Sequence, residues 1–259
     1  MFDERFGDVT ATVDDSFVAT VEIHRPPENF FETDVIEALG DAYAALDALV
    51  ECRAILLCSE GKHFCAGANL SGSATDGRSV GPDLLYREAA RLFAVKTPVV
   101  AAVQGAAVGA GFGLACLADF RIACPEARFS ANFARFGFHH ILGLTLTLPA
   151  IVGQQNALNL LFTGRRIKGE EARAIGLCDG LVPRDVLRAE AHALAAEIAS
   201  SAPLALRSIR QTMRADMVGR FRAAAEHEAI EQEWLQSTSD WTEGVRAASE
   251  GRPPRFEAR

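Results

Sequence analysis

The sequence has no excess of basic residues. Its 26 lysines and arginines are outnumbered by 34 aspartates and glutamates, which gives a formal net charge of −8. A protein that binds nucleic acid or an anionic membrane through a broad surface needs an extended basic face. The charge balance therefore argues against both of these partners, while a local patch of cations could still bind an anionic ligand.

Signals for secretion, disorder and metal binding are also missing. The N-terminal residues MFDERFGDVT contain no basic stretch followed by an apolar run of about 7–15 residues, as a secretory signal would, so we expect a cytoplasmic protein. With only 10 prolines and no long polar tract, the composition is that of an ordinary globular protein. None of the six cysteines belongs to a C-x-x-C pair, and their apolar surroundings are typical of small buried side chains.

The pattern that is present is an alternation of strands and helices. The β-rich runs VTATV and FVATVEI predict a hairpin, and amphipathic spacing predicts a helix over 34–49. The uninterrupted apolar run at 54–58 predicts a strand buried on both faces, as in a parallel sheet covered by helices. Further strands at 99–103 and 120–123, with a helix between them, complete βαβ units. The predicted fold class is therefore α/β.

The C-terminal part of the chain, from residue 186 to 250, contains almost only helix-forming residues. No linker separates it from what precedes, so we predict a core over residues 1–195 and a helical region over residues 196–259. This region would pack on the core or on a neighbouring subunit. Residues 71–83 are small, polar and turn-forming types, which predict a loop.

Two turns that each follow an apolar strand contain the residues best suited to chemistry. They are GKHFCAGANL, residues 61–70, and QGAAVGAGFG, residues 104–113. Small residues let a ligand approach the backbone, and amides in a loop or in the first turn of a helix have no partner in regular structure. Those near Ala68 and Ala110 can be aimed at one oxygen, and two such donors form an oxyanion hole. Cys65 could act as a nucleophile only with a general base, and the sequence assigns none.

The second turn also allows a dinucleotide-binding interpretation. Gly105, Gly109 and Gly111 form the spacing G-x-x-x-G-x-G after a strand. However, no acidic residue follows about twenty residues later at the end of a second strand in the expected way. Neither Tyr43 nor Tyr86 has a lysine four positions on, as short-chain dehydrogenase chemistry would need. The oxyanion-hole interpretation is therefore preferred.

Together, HFCAGANL and PVVAAVQGAAVGAGFGLACLADFRIA resemble the two oxyanion turns of the crotonase superfamily, also called the enoyl-CoA hydratase/isomerase family. The resemblance continues through ARFSANFARFGF and FTGRRIKGEEARAIGLCDGLV, and it spans nearly the whole chain. It implies a crotonase-like spiral of ββα units with a helical C-terminal trimerisation region. It also implies a homotrimer or dimer of trimers, an acyl-CoA substrate, and no cofactor beyond the coenzyme A that the substrate carries.

The resemblance also assigns roles to particular residues. Ala68 and Ala110 would supply the two amides for the thioester carbonyl. Lys62 and Arg25 are candidate cations for the CoA phosphates, although solvated surface charges are an equally good interpretation. His63 is expected to be structural. The residues expected to bind coenzyme A are Glu28, Phe30, Ala66, Gly67, Asn69 and Leu70.

The sequence departs from the family at the two glutamates that its hydratases use. The matched positions are Gly113 and Phe133, and neither residue can move a proton, so ordinary hydration is not expected. Family members with a single acidic group place it a few residues further on, where this chain reads FHHI. We take His140 as the first candidate proton carrier and His139 as the second, because an imidazole suits either role near neutral pH. Alternatively, the pair caps the next helix or lines a subunit contact.

These features predict an acyl-CoA-binding enzyme that stabilises a thioester oxyanion. Isomerisation, C–C cleavage or decarboxylation with a different proton carrier is favoured over standard hydration. The alternative is a catalytically inactive CoA-thioester-binding scaffold or regulatory protein.

Overall fold

The computed structural model of the chain describes residues 2–68 and 82–259. Two predicted CoA-binding residues, Asn69 and Leu70, and most of the predicted loop over 71–83 lie outside the described residues. The described strands are β1 (Asp3–Phe6), β2 (Val9–Val13), β3 (Val18–Ile23), β4 (Ala54–Ser59), β5 (Val99–Val103), β6 (Ala106–Val108), β7 (Phe120–Ala123), β8 (Arg128–Ser130), β9 (Ile167–Lys168) and β10 (Gly180–Leu181).

The described helices alternate with these strands and then dominate the C-terminal part. They are α1 (Thr33–Asp47), α2 (Pro82–Ala94), α3 (Ala110–Leu117), α4 (Leu144–Val152), α5 (Gln154–Thr163), α6 (Gly169–Ala174), α7 (Leu187–Ala199), α8 (Pro203–Gln236) and α9 (Ser239–Ser249). A short 3-10 helix covers Asn132–Phe136. The predicted α/β class is confirmed.

The main sheet has the strand order β1-β2-β3-β4-β5-β7-β10. The predicted hairpin is present, since β2 and β3 pair antiparallel, and from β3 onward every neighbouring pair is parallel. All six residues of β4 are buried, as the apolar run predicted for a strand covered on both faces. One covering helix is α7, which packs against β3, β4, β5 and β7. The parallel strands therefore end near the two turns that follow β4 and β5.

A second sheet, β6-β8-β9, was missed from sequence. Its strand β6 lies inside the glycine-rich turn that follows β5 and pairs parallel with β8. Phe129 belongs to β8, and a 3-10 helix follows this strand directly. Strands of two or three residues are too short to show a period of two, so pairing with distant strands decides their conformation.

The predicted helical C-terminal region is present as α7, α8 and α9. The predicted division at residue 195 falls inside α7, and the division itself stays a prediction. Helix α8 is anchored to the core by stacking of Phe221 on Phe93, with ring centroids 4.6 Å apart. It is also anchored by Arg210 and Arg214, whose side chains lie 2.8 and 2.7 Å from the carboxylate of Asp119.

Candidate active site

The two glycine-containing turns that were predicted to act together lie side by side. The Cys65 amide donates to the carbonyl of Ala106 over 2.9 Å, and the Val108 amide donates to the carbonyl of Cys65 over 3.1 Å. Cys65 and Ala107 thus form a parallel bridge between the turns. The first turn is therefore joined to strand β6, directly before helix α3 begins.

Close approach of the turns depends on two glycines. Gly67 has a φ of 95°, and a Cβ there would lie 2.8 Å from the carbonyl oxygen of Val108. A Cβ on Gly111 would lie 2.7 Å from the Cβ of Cys65 and closer still to its carbonyl oxygen. Both distances are shorter than real Cβ atoms tolerate, so a side chain at either position would push the turns apart.

The predicted oxyanion donors are Ala68 and Ala110. Ala110 is the first residue of α3 and follows Gly109, which makes no side-chain cap. The amides of Phe112 and Gly113 both donate to the Gly109 carbonyl over 3.1 Å. Within residues 2–68 and 82–259, by contrast, the amides of Ala68 and Ala110 donate no hydrogen bond. An unpaired amide at a helix N-terminus suits a developing negative charge, so this arrangement can hold an oxyanion.

The predicted CoA-binding segment runs along the first turn. The Ala66 amide donates to the Glu28 carbonyl, and the Phe31 amide donates to the Gly67 carbonyl, both over 2.9 Å. Asn29 between them is 1% exposed, and its side-chain amide donates to the carbonyls of Glu60 (2.9 Å) and His63 (2.6 Å). The structure thus brings Glu28, Ala66 and Gly67 together and places Phe30 beside them. Asn29 is the anchor that sequence reasoning missed.

The two cations near this segment, Arg25 and Lys62, differ in whether carboxylates already pair with them. Arg25 contacts three carboxylates, those of Asp8, Glu32 and Asp34, at 2.8–3.3 Å. Its charge is therefore neutralised, and a role for Arg25 in phosphate binding is disfavoured. Lys62 is exposed and makes no ion pair with the described residues.

His63 and Cys65 in the first turn have structural environments. Nδ1 of His63 accepts a hydrogen bond from the Ala106 amide over 3.0 Å. Burial lowers the pKa of His63, and nearby Arg128 and Lys62 lower it further, so the ring stays neutral and can accept this bond. Burial raises the pKa of the Cys65 thiol to about 12, so the reactive thiolate is not formed near neutral pH. His63 joins the turns, and Cys65 packs between them.

Gly113 and Phe133, which the resemblance matched to the two hydratase glutamates, have apolar surroundings. Gly113 is buried, and a Cβ there would lie 2.7 Å from the Cβ of Leu142. Phe133 is 7% exposed, and its ring lies 6.4 Å from that of Phe138, which in turn lies 4.6 Å from Trp241. Packed side chains therefore fill the space around both positions.

The candidate proton carriers lie in the loop before α4. His139 donates from Nδ1 to the carbonyl of His140 over 2.9 Å, and the two rings stack with centroids 4.1 Å apart. The side chain of His140 is 18% exposed, and its Nε2 lies 2.7 Å from Oγ1 of Thr145. Burial lowers the pKa of His140 to about 3, with His139 as the second cause. Leu142 in the same loop packs on Gly113. Gly113 lies one helical turn after Ala110 in α3, so this loop contacts the helix that begins at Ala110.

Two further properties concern the residues that the structure describes. No helix among them is long and apolar enough to cross a membrane. Nor do residues 2–68 and 82–259 contain a group of three or more histidine, cysteine, aspartate or glutamate side chains that could hold a metal ion.

An α/β core whose two adjoining turns present amides that are unpaired among the described residues has the geometry to stabilise an oxyanion on a bound acyl group. The family model for enoyl-CoA hydratase/isomerase matches residues 14–259. The chain therefore belongs to the enoyl-CoA hydratase/isomerase family, and the predicted family and crotonase fold are confirmed.

Relatives with different names match over nearly their full length. A Rhodobacter capsulatus protein named "Probable enoyl-CoA hydratase" is 34% identical over 253 residues, which cover 93% of this chain and 95% of that protein. The 1,2-epoxyphenylacetyl-CoA isomerase of Escherichia coli is 29% identical, with coverages of 92% and 94%. The crystal structure of carnitinyl-CoA hydratase from Mycobacterium avium superposes with a TM-score of 0.89 at 28% identity, covering 99% of this chain and all of that one.

Proposed function

We propose that this enzyme binds acyl-CoA thioesters and polarises the thioester carbonyl between the amides of Ala68 and Ala110. The observation that carries the proposal is the junction of the two turns, which leaves both amides without an acceptor in the described part of the chain. One donor of this kind is typically worth about 2.7–4 kcal/mol in the transition state, so a pair could supply a large part of the rate enhancement.

The reaction we propose is isomerisation, C–C cleavage or decarboxylation. All three pass through an enolate or related oxyanion and need fewer positioned groups than hydration, which requires carboxylates to orient and activate water. The surroundings of Gly113 and Phe133 are apolar, which supports this preference. The Escherichia coli relative is named an isomerase, which is consistent with it. The proton carrier would be His140, with His139 as the second candidate.

Coenzyme A would bind along the first turn. The backbone around Ala66 and Gly67 and the segment with Glu28 and Phe30 would border it, and Asn69 and Leu70 would extend this surface. Lys62 would face the phosphates. No cofactor is proposed beyond the coenzyme A of the substrate.

We also propose a homotrimer or dimer of trimers in the cytoplasm. Helix α8 exposes several large apolar side chains, which supports subunit contacts through the helical C-terminal region. They are Leu204, Ile209, Met213, Ile230 and Trp234.

A panel of acyl-CoAs tests this function. Binding is measured by calorimetry, and turnover is followed by chromatography of the CoA products, for the wild type, His140→Ala and His139→Ala. We expect turnover of at least one panel member, a loss of about 10²-fold or more in kcat for His140→Ala, and negligible hydration of crotonyl-CoA. Hydration at ordinary hydratase rates would contradict the interpretation of Gly113 and Phe133. Binding without turnover of any member would favour the inactive scaffold.

A further inference from the structure

Glu228, in the C-terminal half of α8, is a buried carboxylate that faces the loop of the two histidines. Its side chain is fully buried. Oε2 accepts a hydrogen bond from the Gly143 amide over 2.9 Å, and Oε1 accepts from the amide and the hydroxyl of Thr145, over 3.1 and 2.7 Å. Burying a charge is costly unless donors surround it, and three donors converge here. Glu228 therefore binds the first turn of α4 although more than 80 residues separate them.

The direction of these hydrogen bonds determines which nitrogen of His140 carries its proton. A carboxylate with three donors directed at it acts only as an acceptor, so the Thr145 hydroxyl donates to Glu228. That hydroxyl has no second hydrogen and can only accept from Nε2 of His140, 2.7 Å away. Nε2 is therefore protonated, and Nδ1 carries the free lone pair of the neutral ring.

We propose that Thr145 and Glu228 are positioning residues for His140, which they hold as the Nε2–H tautomer so that Nδ1 can accept a proton from a bound acyl-CoA. The inference rests on the proposed function. In the step, the C–H bond at the α-carbon breaks, an N–H bond forms on Nδ1, and the electron pair moves onto the thioester oxygen held by Ala68 and Ala110. When the acyl group has a double bond between its β- and γ-carbons, the oxyanion's electron pair re-forms the thioester carbonyl, the double bond moves to the α- and β-carbons, and the γ-carbon takes the proton from Nδ1, which completes an isomerisation.

The carboxylate also stabilises the charge that this step creates. Oε1 of Glu228 lies 3.7 Å from Nε2 of His140, so an imidazolium formed by protonation of Nδ1 would face a negative charge. A buried carboxylate beside a catalytic histidine has this role in hydrolase triads. Burial and His139 lower the pKa of His140, so Nδ1 is unprotonated near pH 7 before the substrate binds, and the facing carboxylate of Glu228 opposes this lowering when it is charged.

Other groups surround the pair and bear on any pH profile. His139 lies on the same loop. Burial raises the pKa of Glu228, while the hydrogen bonds from Thr145 and Gly143 and the charge of His227 act to lower it. Tyr86 in α2 has a buried hydroxyl that makes no hydrogen bond within the described residues. Burial raises the pKa of this phenol, and the negative charge of Glu228 raises it further. The kinetic assay should therefore compare the variants both at a single pH and over a range of pH values.

The first test observes the tautomer directly. Protein labelled with ¹⁵N-histidine, with His140→Ala used for assignment, is examined by long-range ¹H–¹⁵N NMR. We expect the Nε2–H form in the wild type and in Thr145→Ser, and a shift toward the Nδ1–H form in Thr145→Val. An Nδ1–H ring in the wild type, or an unchanged tautomer in Thr145→Val, would overturn the proposal. This readout does not depend on finding the substrate.

The second test is kinetic and uses the acyl-CoA that the wild type turns over best. Thr145→Val should lower kcat by about 10–10²-fold with KM within about twofold, and Thr145→Ser should restore most of it. The matched control is Thr147→Val, because the Thr147 hydroxyl is buried in the same helix but donates only to the Gly143 carbonyl. Equal kcat losses in Thr145→Val and Thr147→Val would show a structural effect and overturn the positioning role.

Glu228→Gln extends the series if it folds, as judged by circular dichroism. The expected result is a larger loss of kcat than in Thr145→Val and a changed pH profile of kcat, because the charge facing the imidazolium is gone. An unaltered kcat would overturn the role of the carboxylate. If the wild type turns over no acyl-CoA, the proposed function fails, whereas the NMR result separately decides whether Thr145 sets the tautomer.

Discussion

Replacing Gly111 with alanine should separate the two turns that we propose form the oxyanion hole. The new methyl group would lie 2.7 Å from the Cβ of Cys65 and nearer still to its carbonyl oxygen, where contacts below 3.0 Å essentially do not occur. These are backbone or backbone-proximal atoms, so rotation of a side chain cannot relieve the clash. Either the first turn or the start of α3 must move by more than about 0.3 Å. The N–H groups of Ala68 and Ala110 would then no longer point at the same oxygen position.

Two opposing effects determine how Gly111→Ala changes the free energy of unfolding. Alanine favours a helix over glycine by roughly 0.5–1 kcal/mol, whereas overpacking a tight contact costs about 1–3 kcal/mol. The clash therefore outweighs the gain, and a net loss of roughly 1–2 kcal/mol in the free energy of unfolding is expected. Misplacement of one donor should lower kcat by about 10²–10³-fold.

Denaturant unfolding and acyl-CoA turnover measure the two effects separately. Gly219→Ala is the matched control, because a Cβ at Gly219 in α8 meets nothing within 4 Å, and this variant should be slightly stabilised and fully active. If Gly111→Ala keeps kcat within about threefold of the wild type, the junction of the turns does not form the hole, and the proposed role of the Ala68 and Ala110 amides is wrong.

Three further predictions follow from packing and charge. Gly113→Glu should lower the free energy of unfolding and leave crotonyl-CoA hydration undetectable, because its Cβ meets Leu142 at 2.7 Å; recovery of hydration would contradict this. Asp119→Asn should lower the free energy of unfolding in urea by about 3–5 kcal/mol, since it removes the carboxylate partner of the buried Arg210 and the partly buried Arg214 in α8; a loss below about 1 kcal/mol would show that these ion pairs contribute little to stability. The free energy of unfolding of the wild type should fall as the pH is lowered from about 6.5 to 3. Over this range His140 binds a proton in the unfolded chain but not in the folded protein, so protons favour the unfolded chain. His140→Gln should weaken this dependence, and an unchanged slope would contradict the assigned pKa.

The sequence by itself determined the main elements and the kind of site. Continuous apolar runs predicted the buried parallel strands β4 and β5, because strands covered on both faces exclude polar side chains. Glycines and alanines after these strands predicted two turns with accessible amides. These signals are local, since a few neighbouring residues fix both the backbone conformation and its burial. The match of Gly113 and Phe133 to the hydratase glutamates came from the sequence resemblance alone, and it stays a prediction.

Only the tertiary structure decided how these parts meet. The bridge from Cys65 to Ala107 and the anchoring of the predicted CoA-binding segment by Asn29 depend on contacts between segments distant in sequence. The neutralisation of Arg25 by three carboxylates likewise depends on how separate elements pack. Most residues of α8 are not buried, yet the side chain of Glu228 in this helix is fully buried and accepts a hydrogen bond from Thr145. Such pairing carries no local signal, because its stability comes from burial and hydrogen bonds that exist only once the chain has folded.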